Sequence, residues 1–101
     1  MTKKNITAVL AFETDERFNR LTELALFELV GTLTTLAGGV TITEQFGGYR
    51  MDNGNNAVEY SYKFELFELD KSTTQAVTDY FIKLKELNEQ ESVIINGDFV
   101  Y

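Results

Sequence analysis

From Val58 to Leu66 every second residue is apolar or aromatic: Val58, Tyr60, Tyr62, Phe64 and Leu66. A period of two puts all five on one face of a strand, and a face that apolar must be buried. Upstream, Asp52-Asn53-Gly54-Asn55 is a turn signal, because Asn-Gly tolerates the positive φ angles of a tight hairpin. Before the turn, the run VTITEQF (40–46) reads as the partner strand. The chain is therefore committed to a hairpin with one apolar face, and the rest of the sequence must supply its cover.

Two segments have the helical period for that task. The first runs from Thr14 or Asp15, either of which can cap it, to Gly38-Gly39, which ends it. Phe18, Leu21, Ala25, Leu29 and Leu36 form its inward stripe. The second opens with Ser72 and Gln75 at capping-box spacing and carries Val77, Tyr80, Phe81, Leu84 and Leu87. A strand precedes the first helix, with Ile6, Ala8, Leu10 and Phe12 on one face and Thr7, Val9, Ala11 and Glu13 on the other. A last strand, ESVIINGDFVY (91–101), follows the second helix, with Gly97 read as a bulge or bend. The order β-α-β-β-α-β predicts a single α+β domain over residues 1–101. Its arrangement is ferredoxin-like: a four-stranded antiparallel sheet with both helices on one face.

Composition narrows function by exclusion. With no His and no Cys, the commonest general base, zinc ligand and thiol nucleophile are all missing. A metal would need carboxylates alone, and neither a calcium-type loop nor a phosphate loop is present, so no cofactor is implied. Catalysis would rest on carboxylates, Tyr49 or Lys63 with shifted pKa values, and nothing in the spacing points to one. Nine basic against sixteen acidic residues leave a net charge of −7, which disfavours nucleic acid and anionic lipid. No apolar run approaches a membrane span. Lys3 and Lys4 precede a short alternating stretch rather than a signal-peptide core, so a cytoplasmic location is expected.

Two surfaces exceed what a bland monomer needs. Leu24, Phe27 and Gly31 form a second helical stripe, nearly opposite the first, which predicts a homo-oligomer through that stripe or through the open sheet face. The open face should carry Thr7, Val9, Ala11 and Glu13 of the first strand, Thr41, Thr43 and Gln45 of the second, and Glu59, Ser61, Lys63, Glu65 and Phe67 of the third. Gly47-Gly48 reads as a bulge that would re-aim Tyr49 and Arg50. Arg50 can pair with Glu44 or Glu59 across the hairpin, or fork onto an anionic ligand. In the ligand reading Tyr49 is a stacking platform, and Ser61, Lys63 and Thr43 complete the site.

The pattern G-V-T-I-x-E-x-F-G-x-Y-R followed by E-x-S resembles a family of small bacterial proteins of unknown function, often exported or lipid-anchored. It falls on Gly39, Thr41, Glu44, Phe46, Gly47, Tyr49, Arg50, Glu59 and Ser61, and Gln90-Glu91-Ser92-Val93 matches the family's closing Q-E-S-V strand. The chain departs from the pattern in having Tyr49 where Trp is usual, no lipid-attachment Cys, and Leu69-Asp70 in place of His-Pro. The resemblance implies a fold and a site position but no reaction. The expectation is a non-enzymatic protein that senses or sequesters a small anionic or nucleotide-like ligand. It is similar in size and economy to small phage proteins that absorb nucleotide immune signals. The alternative is an acidic inhibitor or interaction module for a basic partner surface, since residues 51–101 carry ten acidic and four basic groups.

Overall fold

The alternation in the sequence builds one antiparallel sheet. In the computed structural model, which describes residues 3–12 and 21–101 without the side chains at 49, 57 and 58, the elements follow the expected order. They are β1 (Lys4–Ala11), α1 (Glu23–Ala37), β2 (Thr41–Arg50), β3 (Asn56–Leu69), α2 (Lys71–Leu87), β4 (Val93–Ile95) and β5 (Asp98–Val100). The strand order is β2-β3-β1-β4-β5. The first four places are those of a ferredoxin-like sheet, and β5 extends the edge beside β4.

The fifth strand corrects the sequence reading. Asn96 and Gly97 both have positive φ, 50° and 87°, and Ile95 pairs with Asp98 directly across them. Two residues with φ > 0 make the primed turn that matches strand twist. Gly97 is thus half of a hairpin, not a bulge within a single strand. Asn96 also anchors the turn to β1: its Oδ1 accepts from the Thr7 N–H at 2.8 Å and its own N–H donates to the Thr7 carbonyl at 2.8 Å.

The other Asn-Gly turn is built differently. The Gly54 N–H donates to the Met51 carbonyl and the Met51 N–H to the Asn55 carbonyl, with only Gly54 (φ 88°) in the left-handed region. That is a three-residue loop, a turn followed by one left-handed residue. Beyond it the β2–β3 register runs without a shift from Arg50↔Asn56 to Thr41↔Glu65. The bulge expected at Gly47-Gly48 is absent, so the backbone pairing continues unbroken through Tyr49 and Arg50. A register shift occurs elsewhere: between Lys4 and Ile6, β1 spans one residue fewer than β3 does from Leu66 to Leu69. Glu68 takes φ 57° there, and its N–H donates to the Asn5 side chain.

Both helices lie against the face that carries the even-numbered residues of β1 and of β3 as far as Leu66. Ile6, Ala8, Leu10, Phe12, Tyr62, Phe64, Leu66, Leu69 and Val93 from the sheet side form one buried cluster with Leu29, Leu33, Val77, Phe81 and Leu84 from the helices. Burial of such side chains contributes about 1.5–3 kcal/mol each. On α1 the inward stripe is Leu26, Leu29, Leu33 and Ala37, so Leu36, expected inside, lies at the surface. Leu87 on α2 is likewise exposed, and Tyr80 only half-buried. Thr22 caps α1 through an Ala25 N–H bond at 3.1 Å. The expected caps Thr14 and Asp15, with Glu13 and Phe18, lie outside the described residues. Asp70, not Ser72, caps α2: its carboxylate accepts from the Thr73 N–H at 2.8 Å and from the Ser72 hydroxyl at 3.1 Å. These bonds hold the Asp70 carboxyl below its ordinary pKa.

Candidate functional site in the open sheet face

On the face away from the helices, the registers line up side chains in rows across the strands. One row reads Thr43, Lys63, Val9, Ile94 and Phe99, each paired with the next. The neighbouring row reads Gln45, Ser61 and Ala11, and beyond it Gly47 stands opposite Glu59. A strand without a side chain at Gly47 leaves the flank of Glu59 uncrowded. Val9, Ala11, Ser61 and Ile94 are half-buried, so this face is neither core nor freely solvated.

A cavity of about 260 Å³ opens here. Val9, Ala11 and Ile94 make an apolar floor, Ser61 and Glu59 rise from β3, and Gln90, Glu91 and Ser92 close it from the α2–β4 connection. Phe99 forms a wall from β5. Its ring stacks near-parallel on Tyr101, with centroids 6.3 Å apart and planes 18° from parallel. The arrangement offers an apolar base, one aromatic wall and several convergent acceptors and donors, the usual make-up of a small-molecule site. Its volume falls just under the roughly 300 Å³ common for such sites.

The sequence-selected residues divide between this cavity and its surroundings. Ser61 lines it. Lys63 and Thr43 do not line it, though they are paired in the row that runs on through Val9, Ile94 and Phe99. Arg50 sits near the hairpin tip, where its guanidinium donates to the Gly54 carbonyl at 3.0 Å rather than to Glu44 or Glu59. Tyr49 shares the open-face register, but its side chain lies outside the description. Glu44 is engaged elsewhere, accepting from the Tyr62 hydroxyl at 3.3 Å, while that hydroxyl accepts from the Leu21 N–H at 2.9 Å. Tyr62 is core; Tyr60 is half-buried and packs edge-on to the exposed Phe46, beyond the helices.

Val9, Ala11, Ile94 and Phe99 were missed as site residues. A signal was available: Asn96-Gly97, read as a hairpin, returns Phe99 to a place directly opposite Ile94. A second hollow, about 750 Å³, is a groove between the helices lined by Gly31, Thr32, Thr35 and Leu36 of α1 and by Ala76, Asp79, Tyr80 and Lys83 of α2. It adjoins the Leu24–Phe27–Gly31 stripe, in which Leu24 and Phe27 are 69% and 68% exposed. Size alone would favour the groove. Both hollows carry polar groups, but the smaller cavity gathers Glu59 and Ser61 with Gln90, Glu91 and Ser92 from a distant part of the chain over an apolar floor. Among the described residues no group of three or more His, Cys, Asp or Glu is placed to hold a metal ion. None of the described helices is long and apolar enough to cross a membrane.

No family model matches the chain, and no curated protein matches it. Among solved structures, a phage SAM lyase in complex with S-methyl-5′-thioadenosine is similar in fold, with a TM-score of 0.62 and 17% identity over 96% of this chain and 84% of the lyase. A phage SAM lyase in the apo state is similar to the same degree, with a TM-score of 0.61 and 17% identity over 98% and 86% of the two chains. At this identity the likeness is one of fold.

Proposed function

We propose that the protein is a small-molecule binder that senses or sequesters a nucleoside-like ligand in the open-face cavity, acting as a homo-oligomer in a phage anti-defence role. The observation that carries this reading is the convergence of two distant segments, Glu59–Ser61 and Gln90–Ser92, on one cavity with an apolar floor and the Phe99 wall. A base stacked on Phe99 and a ribose hydrogen-bonded to Glu59, Ser61 or Ser92 would use every part of it. The fold neighbour solved with S-methyl-5′-thioadenosine, a nucleoside thioether, supports the ligand class, and its phage origin supports the biological setting. The exposed Leu24 and Phe27 support the oligomer, since large apolar side chains on the outer side of α1 gain by burial against a second copy.

Native mass spectrometry after incubation with a nucleoside, nucleotide and metabolite panel tests both parts. The expected result is a dimer or larger species carrying a nucleoside-sized adduct, with the adduct lost on Ser61→Ala combined with Phe99→Ala. A monomer with no adduct across the panel would discard the reading.

A further inference from the structure

We infer that the open-face cavity selects for a positively charged group on its ligand and discriminates against phosphate. The inference rests on the ligand-binding reading above but is separate from it, and it reverses the anionic preference expected from Arg50.

Three observations carry it. Glu59 and Glu91 both border the cavity, one from β3 and one from the α2–β4 connection, and none of the described residues lining it is basic. Arg50, the fixed cation expected to receive an anion, does not line the cavity; its guanidinium donates to the Gly54 carbonyl at the hairpin tip. The remaining wall, Phe99, presents a ring, and aromatic faces attract cations through their quadrupole. The chain carries a net charge of −7, so a second carboxylate at one cavity adds to existing self-repulsion. A ligand cation relieves that repulsion; a phosphate, carrying nearly two negative charges at neutral pH, increases it. Lys63 does not line the cavity, but it stands in the row that supplies Val9, Ile94 and Phe99 and is paired with Val9 on the floor. It is the anchor an anionic ligand would use, and it gives the opposite reading its own test.

A charge series on one nucleoside body isolates the effect: 5′-amino-5′-deoxyadenosine (cation), adenosine (neutral) and adenosine 5′-monophosphate (anion), titrated calorimetrically into the whole protein at low salt. Affinity should fall in that order, with at least about tenfold between the ends. Glu59→Gln and Glu91→Gln, both exposed and near-isosteric, should each compress the spread by about two- to fivefold, the range for solvent-screened charge pairs. Added salt should compress it too, which a change of shape alone would not produce. Phe99→Ala should weaken adenosine and its phosphate alike, because stacking does not depend on the 5′ group. If adenosine binds but the series is flat, or the phosphate binds most tightly and loses that advantage in Lys63→Gln, the charge inference falls while the binding reading stands. If no member of the series binds while another compound of the panel does, the inference also falls.

Discussion

The two faces of the sheet come from the same strands and the same alternation, yet they do opposite work. On one, Ile6, Ala8, Leu10, Tyr62, Phe64 and Leu66 are all at most 1% exposed, sealed beneath two helices. On the other, Thr7, Val9, Ala11, Ser61, Lys63 and Glu65 are only half-buried. The covered face can be apolar throughout because helices exclude water from it. The open face must mix small, hydroxyl and charged groups to stay soluble, and that mixture can also orient a ligand. On the binding reading proposed above, stability lies at the even positions of β1 and β3 and recognition at the odd ones, and substitutions one residue apart should have separable effects.

The largest effect tests that division directly. Phe64→Ala removes a fully buried ring from contact with Phe12 and Phe81, and should cost about 3–5 kcal/mol in urea unfolding. Val9→Ala, on the opposite face, should cost only about 1 kcal/mol, since the side chain is smaller and already partly exposed. If Val9→Ala approaches the cost of Phe64→Ala, the open face is covered in solution, and a second copy then occupies it rather than the α1 stripe.

A smaller effect separates the two Asn-Gly turns. Gly54 and Gly97 have nearly the same φ, 88° and 87°, and a Cβ at either would meet nothing within 4 Å. Replacement by Ala should therefore cost about 1–2 kcal/mol at each, the conformational cost of a left-handed L-residue alone. The consequences should differ. Gly97→Ala loosens the turn that returns Phe99 to the open face, so it should lower amide-exchange protection in β4 and β5 and weaken nucleoside binding. Gly54→Ala disturbs only the hairpin tip and should leave binding unchanged. Equal binding in both variants would mean that Phe99 is no part of the site.

Those turns also explain what could be read from the sequence. The order of elements and the covered face were legible because period two and period 3.6 are strong signals: Tyr62, Phe64, Val77, Phe81 and Leu84 are core as expected. Turn chemistry was harder. Asn-Gly occurs twice, and the loop length, not the dipeptide, decides whether it forms a two-residue primed turn or the tail of a three-residue loop. Gly47-Gly48 misled because glycine permits a bulge without requiring one; the unbroken partner register of β3 decides. Leu36 and Leu87 misled because a helical stripe predicts the side of a helix, not how far along it the sheet extends. The site was legible only in part. Ser61, Glu59, Val9 and Ala11 could be placed on the open face by alternation, and Phe99 by reading Asn96-Gly97 as a hairpin, but that they meet Ile94 at one cavity follows only from strand order.

The smallest effect concerns the lid over the covered face. Asp70 caps α2 by accepting from Thr73 and Ser72, and these bonds favour its charged form. Its folded pKa is therefore depressed below the unfolded value of about 3.9. The capping contribution is fully present above that value and is lost as pH falls through the lower, folded pKa. Asp70→Asn keeps an acceptor at the cap but removes the charge. Near neutrality it should lower the melting temperature by no more than a few degrees, since Asn caps helices about as well as Asp. Below about pH 4 the wild-type and variant curves should converge, because protonation removes from Asp70 what the substitution removes outright. Throughout this range adenosine binding at the open face should track only the folded fraction. A change in intrinsic affinity on Asp70→Asn would mean that the α2 cap and the open face are coupled, and the division of labour between the two faces would then be incomplete.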